Sequence, residues 1–308
     1  MTIYKILQLT DVHVMNDQKK DKKMFKTVER LVKDTNPQLI VITGDITSQR
    51  ENLDAFSSFC PFIDSFKIPW AFVFGNHEGV DMQNDDTVFD INHIVSREDL
   101  CDYVKSFKYS VFENGPLNVD GTGNYYRIIK NNKDEAVMSL IMMDSNNFVK
   151  DTKIKEERYD CFHKNQIDWY KNTVNEIAEK YNKGKILPSL LFCHIPLRQF
   201  ATLTKGGKRL SGIKLEKTCH PFYDDGFFEV IKNTGSTKGI FAGHDHLNNY
   251  SVLYDGIRLT YGTTCDYNIF HCPNHGGKLI NIKEDGNFTV TEVLYRYYND
   301  KIIYKKEI

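Results

Sequence analysis

The sequence lacks several features that would place it in common functional classes. Its formal net charge is only −1 over 308 residues, which argues against a global electrostatic grip on nucleic acid or on an anionic membrane. No segment approaches the roughly 20 consecutive apolar residues of a membrane-spanning helix. The first residues also lack the basic region, apolar run and cleavage site of a signal peptide. We therefore expect no membrane association and no long nucleic acid as a partner, although a local basic patch stays open.

The cysteines lack a pattern as well. There are seven, an odd number, and no two of them stand in a CxxC spacing. A scattered, odd set argues against a disulfide framework and against a thiolate metal site. Together with the missing signal peptide, it predicts reduced, mostly buried thiols and a cytoplasmic location.

The bulk composition is that of an ordinary globular protein. Hydrophobic residues make up 41% and charged residues 26% of the chain, and no repeat or low-complexity linker interrupts it. We predict one domain over residues 1–308, with its core at about residues 3–263. The strands at about residues 278–305 are predicted to complete a second sheet.

The first 74 residues alternate between strand-like and helix-like patterns. Residues 3–9, 39–43 and 70–74 are short apolar runs, whereas residues 20–34 and 52–66 have helical character. A β-α-β-α-β order implies parallel strands covered by helices. Later segments add a hairpin, a long helix at residues 164–181 and a strand-rich end. The predicted class is α/β (mixed α+β), with two mixed sheets and helices outside them.

Polar clusters follow five of the predicted strands. They are Asp11-Val12-His13, Gly44-Asp45, Gly75-Asn76-His77-Glu78, His194, and Gly243-His244-Asp245-His246. In α/β proteins, ligands bind beyond the carboxyl ends of the strands. The clusters supply oxygen and nitrogen donors without cysteine, which suits manganese, iron or zinc ions.

The order DxH, GD, GNHE, a lone histidine and GHDH resembles the calcineurin-like metallophosphoesterase superfamily. The likeness runs from about residue 3 to residue 263. Further blocks, among them Asn124-Tyr125-Tyr126 and the extension from Gly243 to Tyr250, resemble the smaller branch related to purple acid phosphatases. The resemblance implies a four-layer αββα sandwich of two mixed sheets, with the metal site at the carboxyl edge of the strands.

Carried over to this sequence, the resemblance implies two divalent transition-metal ions, of manganese, iron or zinc. Asp11, His13 and His246 would bind the first ion. Asn76, His194 and His244 would bind the second, and Asp45 would bridge both. In the purple enzymes, a tyrosine that binds ferric iron stands three residues after the bridging aspartate. Here that residue is Ser48, so a purple ferric site is not expected.

The activity implied is hydrolysis of phosphate mono- or diesters by a metal-bound hydroxide, with Asp45 and His77 as catalytic residues. His77 would be the general acid, and Asn76, His77 and Arg198 would contact the substrate. A cyclic-nucleotide phosphodiesterase or nuclease on the same scaffold is the alternative. A non-catalytic scaffold is less favoured, because all seven ligands and His77 are present.

Some side chains stay ambiguous at this level. Glu78 and Asp144 could each support a metal ligand or merely lie in a turn or in solvent. Asp245 is expected to orient a neighbouring histidine by a hydrogen bond. A basic stretch could be a flap over an anionic substrate or a solvated loop; it contains Lys205, Lys208, Arg209, Lys214 and Lys217. The physiological substrate and the oligomeric state are not indicated.

Overall fold

The structure is a computed structural model. It describes residues 2–48, 51–78, 94–151, 156–204, 210–269, 272, 274–296 and 302–307. In chain order the elements are β1 (Thr2–Leu9), α1 (Gln18–Thr35), β2 (Leu39–Thr43), α2 (Asn52–Ser65), β3 (Trp70–Val73), α3 (Arg97–Lys105), β4 (Tyr125–Lys130), β5 (Ala136–Met142), β6 (Phe148–Asp151), β7 (Glu156–Tyr159), α4 (Lys164–Asn182), β8 (Ser189–Phe192), a 3₁₀ helix (Arg198–Thr204), α5 (Phe227–Thr234), β9 (Thr237–Ala242), β10 (Ser251–Tyr254), β11 (Ile257–Tyr261), β12 (Asn274–Lys283), β13 (Phe288–Arg296) and β14 (Ile302–Glu307).

Two six-stranded mixed sheets form the centre of the fold. The first has the order β14-β13-β12-β1-β2-β3, and the second has the order β10-β11-β9-β8-β5-β4. In the first sheet β1, β2 and β3 run parallel. In the second sheet β5, β8, β9 and β11 run parallel. The predicted class of two mixed sheets with helices is confirmed.

The prediction that the C-terminal strands complete a second sheet is wrong. β12 pairs antiparallel with β1, with Leu279 opposite Leu7, and β13 and β14 continue outward from it. These strands therefore extend the sheet in which the chain begins. The physical reason is that β1 is central, and its second edge needs a partner for its buried N–H and C=O groups. No local pattern in the sequence reveals which strand supplies that partner.

Alternating side chains divide the core into layers. On β5 and β8, Met142 and Phe192 join residues of the first sheet in one buried cluster. Their neighbours Ile141 and Leu191 point the other way and pack with Tyr170 of α4. This period of two is what a strand produces when both of its faces are covered.

Polar side chains cap the starts of two helices. The Asp17 carboxylate caps α1 by accepting from the backbone N–H groups of Lys19 and Lys20. At α3, Ser96 and Asp99 form a reciprocal capping box. The two-stranded β6–β7 ribbon was not predicted.

Two further expectations concern the environment of the chain. Within the described ranges, no helix is both long and apolar enough to cross a membrane. The seven cysteines are free thiols, and five of them are buried.

Candidate metal centre

The loops after β1 and β2 are sharply turned. Asp11, His13 and Asp45 have φ angles of 50°, 42° and 55°, in the left-handed region that non-glycine residues seldom adopt. Backbone N–H groups of Asp11 and His13 donate to the carbonyls of Gly44 and Asp45, at 3.1 Å each. The two loops therefore hold each other in these conformations, and strain of this kind clusters at functional sites.

Two glycines allow the loops to pack closely. A Cβ atom added at Gly75 would lie 2.1 Å from Oδ1 of Asp45, and one added at Gly243 would lie 2.0 Å from Oγ1 of Thr10. No real Cβ atom tolerates such distances. The glycines of the GNHE and GHDH motifs are thus needed for close approach of the side chains beside Asp11 and Asp45.

Asp11, His13, Asp45 and His246 form the first group of donors, and all four are buried. Nε2 of His13 lies 3.0 Å from Nε2 of His246 and 3.7 Å from Oδ2 of Asp45. Nε2 of His246 lies 3.4 Å from Oδ1 of Asp11. Four ligand atoms from three separate loops therefore converge on one small volume.

Asp45, Asn76, His194 and His244 form the second group. Nε2 of His194 lies 3.0 Å from Oδ1 of Asn76, 3.2 Å from Oδ2 of Asp45 and 3.3 Å from Nδ1 of His244. Asp45 belongs to both groups. His244 and His246 reach different groups because His244 has a φ of 78° and the segment turns between them.

The atoms around Nε2 of His194 are arranged so that a cation among them would be stabilising. Nδ1 of His194 lies 2.8 Å from the carbonyl oxygen of Thr43, which fixes the proton on Nδ1 and leaves the lone pair on Nε2. That lone pair faces the oxygens of Asp45 and Asn76. Three acceptors at this distance repel one another unless a proton or a metal ion lies among them.

The spacing and chemistry of both groups fit metal ions. Ligands bound at 2.0–2.2 Å to a tetrahedral or octahedral ion lie about 2.8–3.6 Å apart, and most of the distances above fall in that range. Oxygen and nitrogen donors of this kind suit manganese, iron or zinc.

The pKa values of the histidines also indicate that a positive charge is favoured beside the carboxylates. Burial opposes the charged form of every ring. Even so, Asp45 raises the pKa of His194 to about 9, and Asp11 and Asp266 raise the pKa of His246 to about 10. Burial and the neighbouring imidazole of His246 lower the pKa of His13 to about 4. In each group the carboxylates thus favour the protonated form of one histidine, as they would favour a bound metal ion.

The carboxylate beside His246 is not the one predicted. Asp245 does not orient a histidine, since its oxygens accept from the hydroxyl of Tyr261 at 2.5 Å and the N–H of Cys219 at 3.2 Å. Instead, Oδ2 of Asp266 lies 3.5 Å from Nδ1 of His246. Asp266 is twenty residues further along the chain, and no local signal in the sequence marks it.

Glu78 is fully buried and connects two ligand loops. Its carboxylate accepts from the backbone N–H groups of Ile46, beside Asp45, and Gly75, beside Asn76. Burial and the nearby charge of Asp45 raise its pKa to about 7. Of the two alternatives for Glu78, the structure favours the supporting role.

Arg97 lies next to the ligand loop of Asn76, and the sequence analysis did not predict this position. Its Nη2 donates to the carbonyl of Gly75 at 2.6 Å, and its Nη1 donates to Asp144 at 2.7 Å. Asp144 also accepts from the N–H of Thr122 at 2.7 Å. Arg97 and Asp144 therefore brace the loop that carries Asn76 and His77. The sequence showed only that Arg97 follows a helix cap.

His77 lies at the open side of the cluster. Its backbone N–H donates to Oδ1 of Asp45 at 3.1 Å, while its side chain is 43% exposed, with Nε2 3.9 Å from Oδ2 of Asp45. This position is separate from both donor groups but next to them. A side chain here can reach a bound substrate without competing for a metal ion.

The predicted substrate contact Arg198 is exposed, and its Nη1 donates to the carbonyl of Phe222 at 3.2 Å. No described contact joins it to the donor groups. In the basic stretch, Lys214 binds Oγ1 of Thr218 and the carbonyl of Glu216. Residues 205–209 of that stretch lie outside the described residues.

Three of the remaining histidines are described, and they lie outside the cluster. His163 contacts Asp120 and Asp160, His220 contacts its neighbouring carbonyl, and His275 stacks on Tyr267 at 3.7 Å. His93 and His271 lie outside the described residues.

A family model for calcineurin-like phosphoesterases matches residues 4–248. The chain belongs to this family. The match spans all five donor clusters, so the predicted superfamily is confirmed. Two mixed sheets with helices are the expected setting for a calcineurin-like phosphoesterase.

Relatives of this calcineurin-like phosphoesterase include proteins related to purple acid phosphatases. Probable inactive purple acid phosphatase 14 of Arabidopsis thaliana is 27% identical over 298 residues, which cover 86% of this chain and 71% of the relative. Phosphatase DCR2 of Saccharomyces cerevisiae is 29% identical over 296 residues, which cover 84% of this chain and 47% of the yeast protein.

Solved structures share the fold. A dimetal phosphatase from Danio rerio has a TM-score of 0.65 at 13% identity, with 99% of this chain and all of that chain covered. Purple acid phosphatase PPD1 from yellow lupin seeds has a TM-score of 0.57 at 9% identity, with all of this chain and 54% of that chain covered.

Proposed function

We propose that this calcineurin-like phosphoesterase hydrolyses phosphate mono- or diesters with the help of two divalent transition-metal ions. Asp11, His13 and His246 would hold one ion, and Asn76, His194 and His244 would hold the other, with Asp45 shared. The observation that carries the proposal is this sharing: Asp45 is within ligand distance of both donor groups. A carboxylate shared by two groups is how paired ions are kept at a short separation.

The division of work follows from the geometry. When bound, two such ions supply charge neutralisation for a phosphoryl group and activation of water at neutral pH. The buried donors of the chain exclude solvent and fix where that chemistry happens. Glu78 and Arg97 hold the Asn76 loop in place through the N–H and the carbonyl of Gly75.

His77 would protonate the leaving alcohol. It is the exposed imidazole beside Asp45, and an imidazole in reach of the leaving oxygen can donate a proton to it. Its backbone N–H is tied to Asp45, so its position relative to the donors is set. General acid catalysis of this kind contributes roughly 10²–10⁴-fold to a rate.

The names of several relatives bear on catalysis. The Arabidopsis proteins are described as probable inactive purple acid phosphatases, whereas the yeast relative is described as a phosphatase. These names describe the relatives and do not by themselves assign an activity to this chain. In this chain all seven proposed ligands and His77 are present and gathered in one place, which supports an active centre.

The decisive test combines metal analysis with a substrate panel. We expect about two transition-metal ions per chain and metal-dependent turnover of at least one among an aryl monoester, an aryl diester, a cyclic nucleotide and a phosphoprotein. Asp45→Ala should lose both properties, while the exposed control Asp285→Ala should keep them. Retention of full activity by Asp45→Ala would refute the mechanism. Two bound ions without turnover of any ester would indicate a non-catalytic scaffold.

A further inference from the structure

The β6–β7 ribbon places two aromatic rings beside the second donor group. Phe148 and Tyr159 are paired across the ribbon, and their rings stack at 5.0 Å with 29° between the planes. The ring of Tyr159 meets the ring of His244 edge to face at 4.6 Å. An unbroken line of ring contacts thus runs from a proposed metal ligand to the outside of the protein.

Phe148 is the outer ring of this line, and its side of the molecule is open. The residue is 45% exposed, although an exposed aromatic ring contacts water unfavourably. Tyr159 is partly buried behind it. Exposed apolar surface at the margin of a polar site is typical of a place where a ligand is bound.

The opposite face of the ribbon is built differently. Arg158 precedes Tyr159 and therefore points away from it. Its guanidinium lies 4.8 Å from the ring centroid of Phe222. The carbonyl of Phe222 in turn accepts from Arg198. This face attaches the ribbon to Phe222, so the ring pair on the other face has a fixed backing.

We propose that Phe148 and Tyr159 form a stacking surface for a planar ring on the alcohol side of the substrate. The preferred substrates are then phosphoesters whose alcohol carries an aromatic ring, either an aryl group or a nucleoside. Rings prefer to stack with an offset on other rings, and stacking on protein aromatics accepts any base. This inference rests on the proposed function, because it takes the phosphoryl group to lie at the donor cluster.

Matched pairs of phosphate compounds, one with an aromatic ring and one without, test how much the ring contributes to binding. Adenosine monophosphate and ribose 5-phosphate differ only in the base, and phenyl phosphate and ethyl phosphate differ in the ring. We would measure affinities for the metal-loaded protein by titration calorimetry, using the phosphonate analogue of each ester, in which carbon replaces the ester oxygen so that it is not hydrolysed. Affinities are compared instead of rates, because phenol is a better leaving group than ethanol whatever the enzyme does.

We expect the wild type to bind the ring-bearing member of at least one pair about 5- to 100-fold more tightly. Phe148→Ala should abolish that preference, and Phe148→Tyr, which keeps a ring, should retain it. Leu253→Ala is the control, since Leu253 is 58% exposed and lies on β10, outside the ribbon. A preference in the adenosine pair only identifies nucleosides, and a preference in the phenyl pair only identifies aryl groups.

Three results would overturn the stacking surface. They are equal affinity within both pairs, including no binding at all; a preference that persists in Phe148→Ala; and a preference that disappears equally in Leu253→Ala. Failure of the proposed function looks different. A ring preference in binding without turnover of any ester keeps the surface and rejects hydrolysis, whereas turnover with no ring preference does the reverse.

Discussion

The two donor groups share Asp45 but differ in their surroundings. The first group is enclosed: Asp11 and His13 are 1% and 0% exposed. The second group contains His244, which is only partly buried, and it lies beside the ring of Tyr159. Phe148, which is 45% exposed, lies on this open side. From this difference we expect the first group mainly to hold its ion and the second group to lie closer to the alcohol side of the substrate.

Removal of one ligand from each group is the strongest way to test that comparison. His13→Ala and His244→Ala should each bind about one ion fewer and lose about 10²–10⁴-fold in kcat/KM, since a metal ion contributes several kcal/mol to the transition state. Elemental analysis and steady-state kinetics measure both effects. His163→Ala, whose histidine contacts Asp120 and Asp160, is the matched control. Two ions retained in His13→Ala would reject the first group.

The enclosed group has a buried ion pair behind it. Nζ of Lys278 lies 2.6 Å from Oε1 of Glu292 and donates to the carbonyl of Asn249, three residues beyond His246. Lys278→Met should lower the free energy of unfolding by about 3–5 kcal/mol, because Glu292 stays buried without its partner. Denaturant unfolding measures the loss.

The double variant Lys278→Met/Glu292→Leu should recover most of that stability, because it removes both charges. The exposed pair of Lys130 and Asp134 provides the control, since Lys130→Met should cost under about 1 kcal/mol. Equal losses in the buried and exposed variants would show that the buried pair contributes no more to stability than an exposed one.

The carboxylate beside His246 offers a finer comparison. Asp266→Asn should weaken metal binding about 10- to 100-fold, as expected when the partner of a ligating histidine is altered. Asp245→Asn should have a smaller effect, because Asp245 binds Tyr261 and Cys219 instead. Competition with a coloured chelator measures both affinities. A larger loss of metal affinity in Asp245→Asn than in Asp266→Asn would indicate that Asp245 orients the ligand histidine, as the sequence predicted.

Proton release should be the same in the two groups. The pKa values of His194 and His246 are about 9 and 10, so both rings are protonated at pH 7 in the metal-free protein. A metal ion binds neutral imidazole, and each group should therefore release about one proton on binding. The affinity of each should fall about tenfold per pH unit below pH 9. Calorimetry in buffers of different ionisation enthalpy counts the protons, and a count near zero contradicts the assignment.

The raised pKa values of His194 and His246 also determine whether the folded protein gains or loses stability as the pH rises. A raised histidine pKa stabilises the folded protein fully below the ordinary value of 6.5, and that contribution is lost as the pH rises through 9 to 10. Metal-free protein should thus become less stable between pH 7 and pH 10. Metal-loaded protein should not follow it, since its ligand histidines carry no proton to lose.

Arg97 should give the smallest effect, on the open side. Arg97→Lys cannot bind Gly75 and Asp144 together, so kcat should fall about three- to tenfold, as for one lost hydrogen bond, with metal content unchanged. The loss should appear in kcat more than in KM, since Arg97 positions the His77 loop. Arg127→Lys, a similar change away from the ligand loops, should leave kcat unaltered. A loss of metal in Arg97→Lys would indicate a purely structural role.

Much of this centre could be predicted from the sequence, because its donors are local. Asp11, Asp45 and His194 each follow an apolar strand, and parallel strands end at one edge of a sheet. Nothing comparable marks Asp266 or Arg97. Each acts through a contact with a residue about twenty positions away, and many polar residues lie at such distances.

The sequence by itself determined the donors, their grouping at the strand ends and the family, because motif spacing and strand periodicity are properties of short segments. Only the tertiary structure decided that β12 to β14 join the first sheet, that Glu78 and Arg97 brace the ligand loops, and that Tyr159, stacked on Phe148, contacts His244. These features depend on which distant segments share an edge or a face. Backbone pairing and side-chain packing settle that choice when the whole chain folds.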